Sequence, residues 1–458
     1  MSEFIFPKDF IWGAAAASYQ IEGAYDQDNK GESIWDRFTH QKGNILNNAT
    51  GDIACDHYNR YKQDIQLMKE IGIDSYRFSV SWPRIFPKGK GKINQKGIDF
   101  YKRLTDELLK NGIKPTATLY HWDLPQVLQE NGGWANRDTV KYYHEYAMKF
   151  IEQFEGRIDT WITHNEPWVA SFLGHAFGHH APGIQDFNTA LQVLHNILLS
   201  HGMVVKSFKE EEIDGKIGIT ANLGEFQPVS DDKEDLAAAW RQDNFINKIV
   251  LDPLFKASYP KELFEFLTKN VGDIKIEDGD MSIISYPMDF LGINYYSRNI
   301  IGYAEEANIL ETEEIKNEEG QYTEMGWEVY PEGLYNVLDR VNNEYTDLPL
   351  YITENGAAFN DRLSENGKVN DRDRIDYLKG HIITAHKAIQ DGIPLKRYYV
   401  WSIMDNFEWA YGYSKRFGMI YVDYKDDQKR YLKESAKWYS EVINQNGVQI
   451  KDWNYQNK

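Results

Sequence analysis

A chain of 458 residues that is 42% hydrophobic and 14% aromatic has ample material for a large core. Its 70 acidic against 51 basic residues give a formal charge of −19, which argues against nucleic acid and anionic membrane as partners. The one cysteine, Cys55, rules out an intramolecular disulfide and a cysteine zinc site. The start has no basic segment with an apolar run behind it, and no stretch approaches the roughly 18 apolar residues of a membrane span. The expectation is a cytoplasmic protein.

In chain order, the apolar run from Phe10 to Ala17 leads into small residues and then Gln20, a neutral bidentate hydrogen bonder at a strand exit. Tyr58, Tyr61, Ile65 and Met68 recur at three and four, a helical stripe that Gly72 ends as a left-handed cap. Residues 73–80 then read as a strand containing Arg77. A second stripe, Phe100, Leu104 and Leu108, closes at Gly112, and residues 114–120 read as a strand ending at His121 and Trp122. A fourth strand starts at Trp161 and runs to Asn165 and Glu166. Pro167 cannot donate a ladder hydrogen bond and biases its predecessor towards extended backbone, so Glu166 is expected as the last strand residue. Later strands are expected at 216–222, 288–294, 349–353 and 395–401. Helix, Gly-Ile, strand occurs three times, at Gly72, Gly112 and Gly392. Eight alternating units without a linker predict an α/β fold, a single (β/α)8 barrel over residues 1–458. Residues 305–324 carry eight glutamates and read as a solvated excursion in a long loop. Trp327 follows it and is placed at the pocket mouth.

Barrel chemistry sits at the carboxyl ends of the strands. Two of those ends carry glutamates, Glu166 and Glu354, and a pair of carboxylates is the minimum equipment for glycoside hydrolysis. Trp168 offers a flat face to stack on a sugar or desolvate a carboxyl. With Gln20, Arg77, His121, Trp122, Asn165, Asn222, Asn294, Tyr296, Trp401, Glu408 and Trp409, the strand ends and last loop form a sugar-binding kit. Arg77 and Tyr296 are candidates to hold a nucleophilic carboxylate ionised. The rival chemistry is a metal on His175, His179 and His180, but Gly and Pro make that stretch a loop without helical ligand spacing, and no metal is expected. No phosphate loop or dinucleotide fingerprint is present, and no cofactor is expected.

The motifs Phe6-Pro7-Lys8-Asp9-Phe10-Ile11-Trp12-Gly13, Tyr76-Arg77-Phe78-Ser79, Tyr120-His121-Trp122-Asp123-Leu124-Pro125, Thr163-His164-Asn165-Glu166-Pro167, Ile352-Thr353-Glu354-Asn355-Gly356 and Trp401-Ser402-Ile403-Met404-Asp405-Asn406-Phe407-Glu408-Trp409 together resemble glycoside hydrolase family 1, the β-glucosidase family, over essentially the whole chain. The resemblance implies a small-molecule β-glycoside substrate and retention of anomeric configuration. It makes Glu166 the acid/base and Glu354 the nucleophile, with Arg77, Asn165 and Tyr296 in support. Gln20, His121, Trp122, Asn165, Trp401, Glu408 and Trp409 would bind the glycone; Trp168, Asn222, Asn294 and Trp327 would lie towards the aglycone or the 2-hydroxyl. Two carboxyls of a retaining pair are expected about 5–5.5 Å apart. His164 departs from the family, which more often has Phe or Leu there, and its position between strand and acid/base leaves open whether it affects the proton affinity of Glu166. Glu166 itself argues against the thioglucosidase branch, which carries Gln. The alternatives are a phospho-β-glycosidase with a charged glycone and a non-catalytic sugar-binding protein. Glu408 argues against the first; Lys415 and Arg416 are expected to pack or pair near the rim.

Overall fold

The structure, a computed structural model, describes residues 2–450. Eight parallel strands close into a barrel: β1 (Ile11–Ala15), β2 (Ser75–Ser79), β3 (Lys114–Tyr120), β4 (Thr160–Asn165), β5 (Lys216–Asn222), β6 (Phe290–Asn294), β7 (Leu350–Asn355) and β8 (Leu395–Trp401). The (β/α)8 expectation is met, with strand limits within a few residues. The strands are buried nearly end to end because helices cover their outer faces, and apolar residues there alternate with buried polar ones such as Ser75, Thr116 and Thr160. Ile162, Phe290 and Tyr351 pack together inside the barrel.

The repeated Gly-Ile is a helix stop. Gly72, Gly112 and Gly392 have φ of 88°, 77° and 95°. A β-carbon at any of them would meet nothing within 4 Å, so the left-handed backbone, not crowding, calls for glycine. The following isoleucine amide reaches back five residues each time, Ile73 to Met68 O, Ile113 to Leu108 O and Ile393 to Ala388 O. The isoleucine is buried and the next strand begins within two residues.

The acidic segment is more than a solvated excursion. Its glutamates are largely exposed, yet strand Arg298–Tyr303 pairs antiparallel with Thr312–Ile315 and parallel with Glu225–Pro228. A hairpin with one wet face tolerates the charges, which hide its short strands in the sequence. At the opposite end of the barrel, Ser2–Ile5 pairs with Gly447–Ile450. Asn446 accepts from Trp12 Nε1 at 3.0 Å and donates to Phe6 O at 2.8 Å, fastening the last helix to β1.

Candidate active site

The register brings the strand ends to one level. Trp401 lies beside Ala15 and Ala15 beside Arg77; Asn222 lies beside Asn294 and Asn294 beside Glu354. Two irregularities then aim the carboxylates. On β4 the register against β5 slips between Ile162 and Asn165. Thr163 and His164 consequently both face the outer helix Phe187–Glu210, bonding His201 and Ser200, while Asn165 turns inward to Arg77. On β7 the register slips after Ile352, and Thr353 and Glu354 both reach inward, to Asn294 and Arg77. Bulges of this kind re-aim side chains next to active sites. After β7, Gly356 is required by close approach: a β-carbon there would lie 1.7 Å from Trp401 O.

Glu166 is not the extended strand end the sequence suggested. Its φ and ψ are 49° and 71°, left-handed, and Pro167 opens the helix Pro167–His175. Proline suits a first helical position because its missing N–H needs no partner there. It keeps its predecessor out of the right-handed helical region, and the tight entry takes Glu166 to the left-handed one. Trp122 and Trp409 are also left-handed, at φ of 78° and 44°. Such conformations cost about 1–2 kcal/mol each for residues with a β-carbon and gather at functional sites.

Glu354 is held from both sides. Arg77 Nη1 donates to Oε1 and Tyr296 OH to Oε2, each at 2.6 Å. Arg77 also donates to Asn165 Oδ1 at 2.6 Å and to Thr353 O at 2.9 Å. Glu166 accepts one bond, from Asn294 Nδ2 at 2.5 Å. The same Nδ2 reaches Asn165 Oδ1 at 3.1 Å, so a hydrogen-bonded chain joins the two glutamates. Because Asn165 Oδ1 accepts from both sides, its Nδ2 donates to His121 Nε2 at 3.1 Å, which leaves the imidazole proton on Nδ1. Burial, reinforced by the Arg77 charge, holds His121 well below its ordinary range, so it is neutral.

Glu166 and Glu354 are 6% and 3% exposed. Burial raises both proton affinities, and the Glu354 charge raises Glu166 further. On Glu354, Arg77 and then Tyr296 oppose burial; on Glu166, one amide and the more distant Arg77 do so. The first proton therefore leaves Glu354, and Glu166 keeps its own to higher pH. Glu408 is pushed up to about 8 by burial and then by its two neighbours, against a single donor, Gln20. His164 is turned away onto Ser200 and held neutral by burial, so the question its place in the motif raised is answered: it adds no charge beside Glu166.

A cavity of about 700 Å³ is lined by His121, Trp122, Glu166, Asn222, Tyr296, Trp327, Glu354, Trp401, Glu408 and Trp409. Gln20, Arg77, Asn165 and Asn294 are buried against this lining and hydrogen-bond Glu408, Glu354, His121 and Glu166 respectively. Gln20 Nε2 donates to Phe407 O, Asn406 Oδ1 and Glu408 Oε2 at 2.9, 3.1 and 3.4 Å. Trp409 packs at a tilt on both Trp122 and Trp35, with ring centroids 4.5 Å apart in each pair. Trp168 stands outside the lining. On its helix Val169 and Leu173 face the cavity, and Trp168 and Phe172, the next row of the same 3.6-residue period, pack on Phe245. Sequence reasoning missed the outer wall, which adds Phe38, Asn44, Met325 and Tyr411. Asn44 and Met325 sit in loops, and Phe38 and Tyr411 in helices of six and three residues, too short to carry a periodic signal. It also missed Glu328, which holds Arg298 with both oxygens at 2.6 and 3.0 Å next to Trp327. His179 and His180 line the mouth, with His180 packed on Trp122 at 5.4 Å. Among the described residues no three His, Cys, Asp or Glu are grouped to hold a metal ion.

Comparison with known proteins places this geometry. The profile described as Glycosyl hydrolase family 1 matches residues 2–448. The chain belongs to glycosyl hydrolase family 1. Within the family, Beta-glucosidase A of Acetivibrio thermocellus is 53% identical over 449 residues, 98% of this chain and 100% of that one. Beta-glucosidase A of Thermotoga maritima is 49% identical over 453 residues, 97% of this chain and 99% of that one. A solved family 1 β-glucosidase from Thermotoga maritima in complex with isofagomine lactam matches with a TM-score of 0.94 at 49% identity, covering 98% of this chain and 100% of that one. No helix among the described residues is long and apolar enough to cross a membrane.

Proposed function

We propose that this family 1 chain is a retaining β-glucosidase, one catalytic domain over residues 1–458, acting on terminal β-D-glucosyl residues of aryl glucosides and cellobiose-type oligosaccharides. The asymmetry of the carboxyl pair carries the reading: a guanidinium and a phenol on Glu354, one amide on Glu166. In the first step a Glu354 oxygen bonds to the anomeric carbon, the glycosidic bond breaks, and Glu166 gives its proton to the leaving oxygen. The ester removes the charge on Glu354 that had raised Glu166. Glu166, now a carboxylate, takes a proton from the water that attacks the anomeric carbon; the ester breaks and both groups return to their starting states. His121, Gln20, Asn165, Trp122, Trp401, Glu408 and Trp409 bind the glycone, with Asn294 beside the 2-hydroxyl. Asn222, Trp327 and the apolar outer wall take the aglycone. Trp168 acts there by backing that wall. β-Galactosides and β-fucosides share the linkage and the 2-hydroxyl and enter as slower substrates. The deciding experiment is turnover of an aryl β-glucoside followed by NMR: release of β-glucose first is expected. Inverted product would overturn the mechanism, and binding without turnover would make the chain a sugar-binding protein.

The pH profile of kcat/KM is expected to be bell-shaped. Activity rises with pH as Glu354 loses its proton and falls as Glu166 loses its own. Burial raises both groups, so both limbs lie above the ordinary carboxylate range near 4. Removing the Glu166 carboxyl is expected to abolish the basic limb; a limb at the same midpoint would assign it to another group.

The glycone is neutral in this reading. Lys415 donates to Glu324 O and Arg416 to Asp405 at 2.5 Å, so neither faces the cavity as a phosphate partner. A 6-phosphate would enter beside Glu166, Glu354 and Glu408, with Arg77 as the nearby cation. Where Glu408 is ionised, we expect kcat/KM for an aryl β-glucoside to exceed that for its 6-phosphate by about a thousandfold, from several kcal/mol of like-charge repulsion. The gap widens with pH as Glu408 loses its proton near 8. Glu408→Ser is expected to lower activity on the neutral sugar and narrow the gap; a wild-type preference for the phosphate refutes the reading.

A further inference from the structure

Six buried or largely buried charges lie behind the cavity, outside the groups assigned above. Lys433, fully buried, precedes the helix Glu434–Gln445. Its ammonium donates to Asp361 Oδ2 at 2.5 Å and to Asp405 Oδ1 at 2.6 Å. Asp361 belongs to the loop after β7 and Asp405 to the loop after β8, so one cation ties together the loops that follow Glu354 and precede Glu408. Arg416 takes the other oxygen of Asp405, and Arg374 bridges Asp361 at 2.8 Å to Asp371 at 2.5 Å. Three carboxylates face three cations, and the cluster is neutral as a whole.

Asp405 stands three residues before Glu408. Between them Asn406 Oδ1 and Phe407 O accept from Gln20, and Phe407 N donates to Gln20 O at 3.1 Å. Gln20 also supplies the one long side-chain bond to Glu408, at 3.4 Å. A carboxylate so weakly held takes its direction from the backbone beneath it. The backbone of Asp405 is anchored through its side chain, which accepts from Lys433, from Arg416 and from the amide of Gly418 at 3.0 Å. Apolar residues of equal volume would stabilise such a site as well or better. What the ions add is fixed distance and direction between two loops.

We propose that Lys433 is a positioning residue for glycone recognition: by joining Asp361 to Asp405 it fixes the backbone of residues 405–409 and so aims Glu408 and Trp409 at the sugar. The inference rests on the glucosidase reading of Glu408. Its test uses Lys433→Met and the charge-balanced Lys433→Met/Asp361→Asn, which leaves Asp405 paired with Arg416 and Asp371 with Arg374 and carries the test if the single variant unfolds. Aryl β-glucosides deoxygenated at single positions first identify the hydroxyl bound by Glu408, as the one whose removal makes Glu408→Ser silent. With the double variant, kcat/KM for the parent glucoside is expected to fall about 10- to 100-fold, the loss of one charge-assisted hydrogen bond. For that deoxy analogue the fall is expected to stay under about threefold. Equal falls on parent and analogue, or no fall at all, would overturn the positioning role. A wild-type enzyme inactive on every glucoside would instead overturn the glucosidase reading.

Discussion

Glu354→Gln is expected to lower kcat on every β-glucoside by about 10⁵ or more, the scale seen when a nucleophile is removed from a working constellation. The amide keeps the shape of the side chain, and Arg77 keeps its bonds to Thr353 O and Asn165 Oδ1. The variant is therefore expected to fold, with an unchanged circular dichroism spectrum, so that its silence is chemical. In the wild-type enzyme a 2-deoxy-2-fluoro glucoside with a good leaving group is expected to trap one glycosyl group, on the peptide carrying Glu354. Mass spectrometry reads the site directly; label on Glu166 would exchange the two roles.

Glu166→Ala separates substrates by leaving group. Alkyl glucosides and cellobiose need a proton on the departing oxygen, and kcat/KM is expected to fall by about 10³, within the range of general acid catalysis. A dinitrophenyl glucoside departs without help, and its kcat/KM is expected to stay within about tenfold of wild type. Azide, which needs no base to attack, is expected to restore turnover of the activated substrate and yield β-glucosyl azide. Equal losses on good and poor leaving groups would contradict the assignment.

The barrel was legible because short β-favouring runs alternate with helical stripes and three of the intervening helices end on the same Gly-Ile pair. The cavity's inner wall was legible because strand ends are where polar residues interrupt apolar runs. Backbone irregularity was not. Nothing in Trp161-Ile162-Thr163-His164 reveals that two successive side chains face outward, since alternation is the rule a bulge breaks. The same slip explains why His164 seemed to neighbour Glu166 and does not. Trp168 was read as a stacking face from its distance along the chain, whereas the helical turn after Glu166 presents Val169 and Leu173 instead. Lys433, Asp361 and Asp405 are far apart in sequence and each resembles a surface charge; only the fold brings them together and buries them.

The hydrogen bonds that define the site span most of the polypeptide. Arg77 and Glu354 are 277 positions apart, Gln20 and Glu408 are 388. On the ribosome, then, the first three quarters of the chain emerge without a working pair, and contacts of such long range form late and slowly. A product released early would hold Glu166 without its partner, and one released just after β8 would still lack Glu408. Turnover thus certifies that synthesis ran through the last loop. Conversely, two fragments divided at the exposed turn residues Glu318 and Glu319 would each be silent and would regain activity only on reassociation, which makes this barrel a natural reporter for protein-fragment complementation.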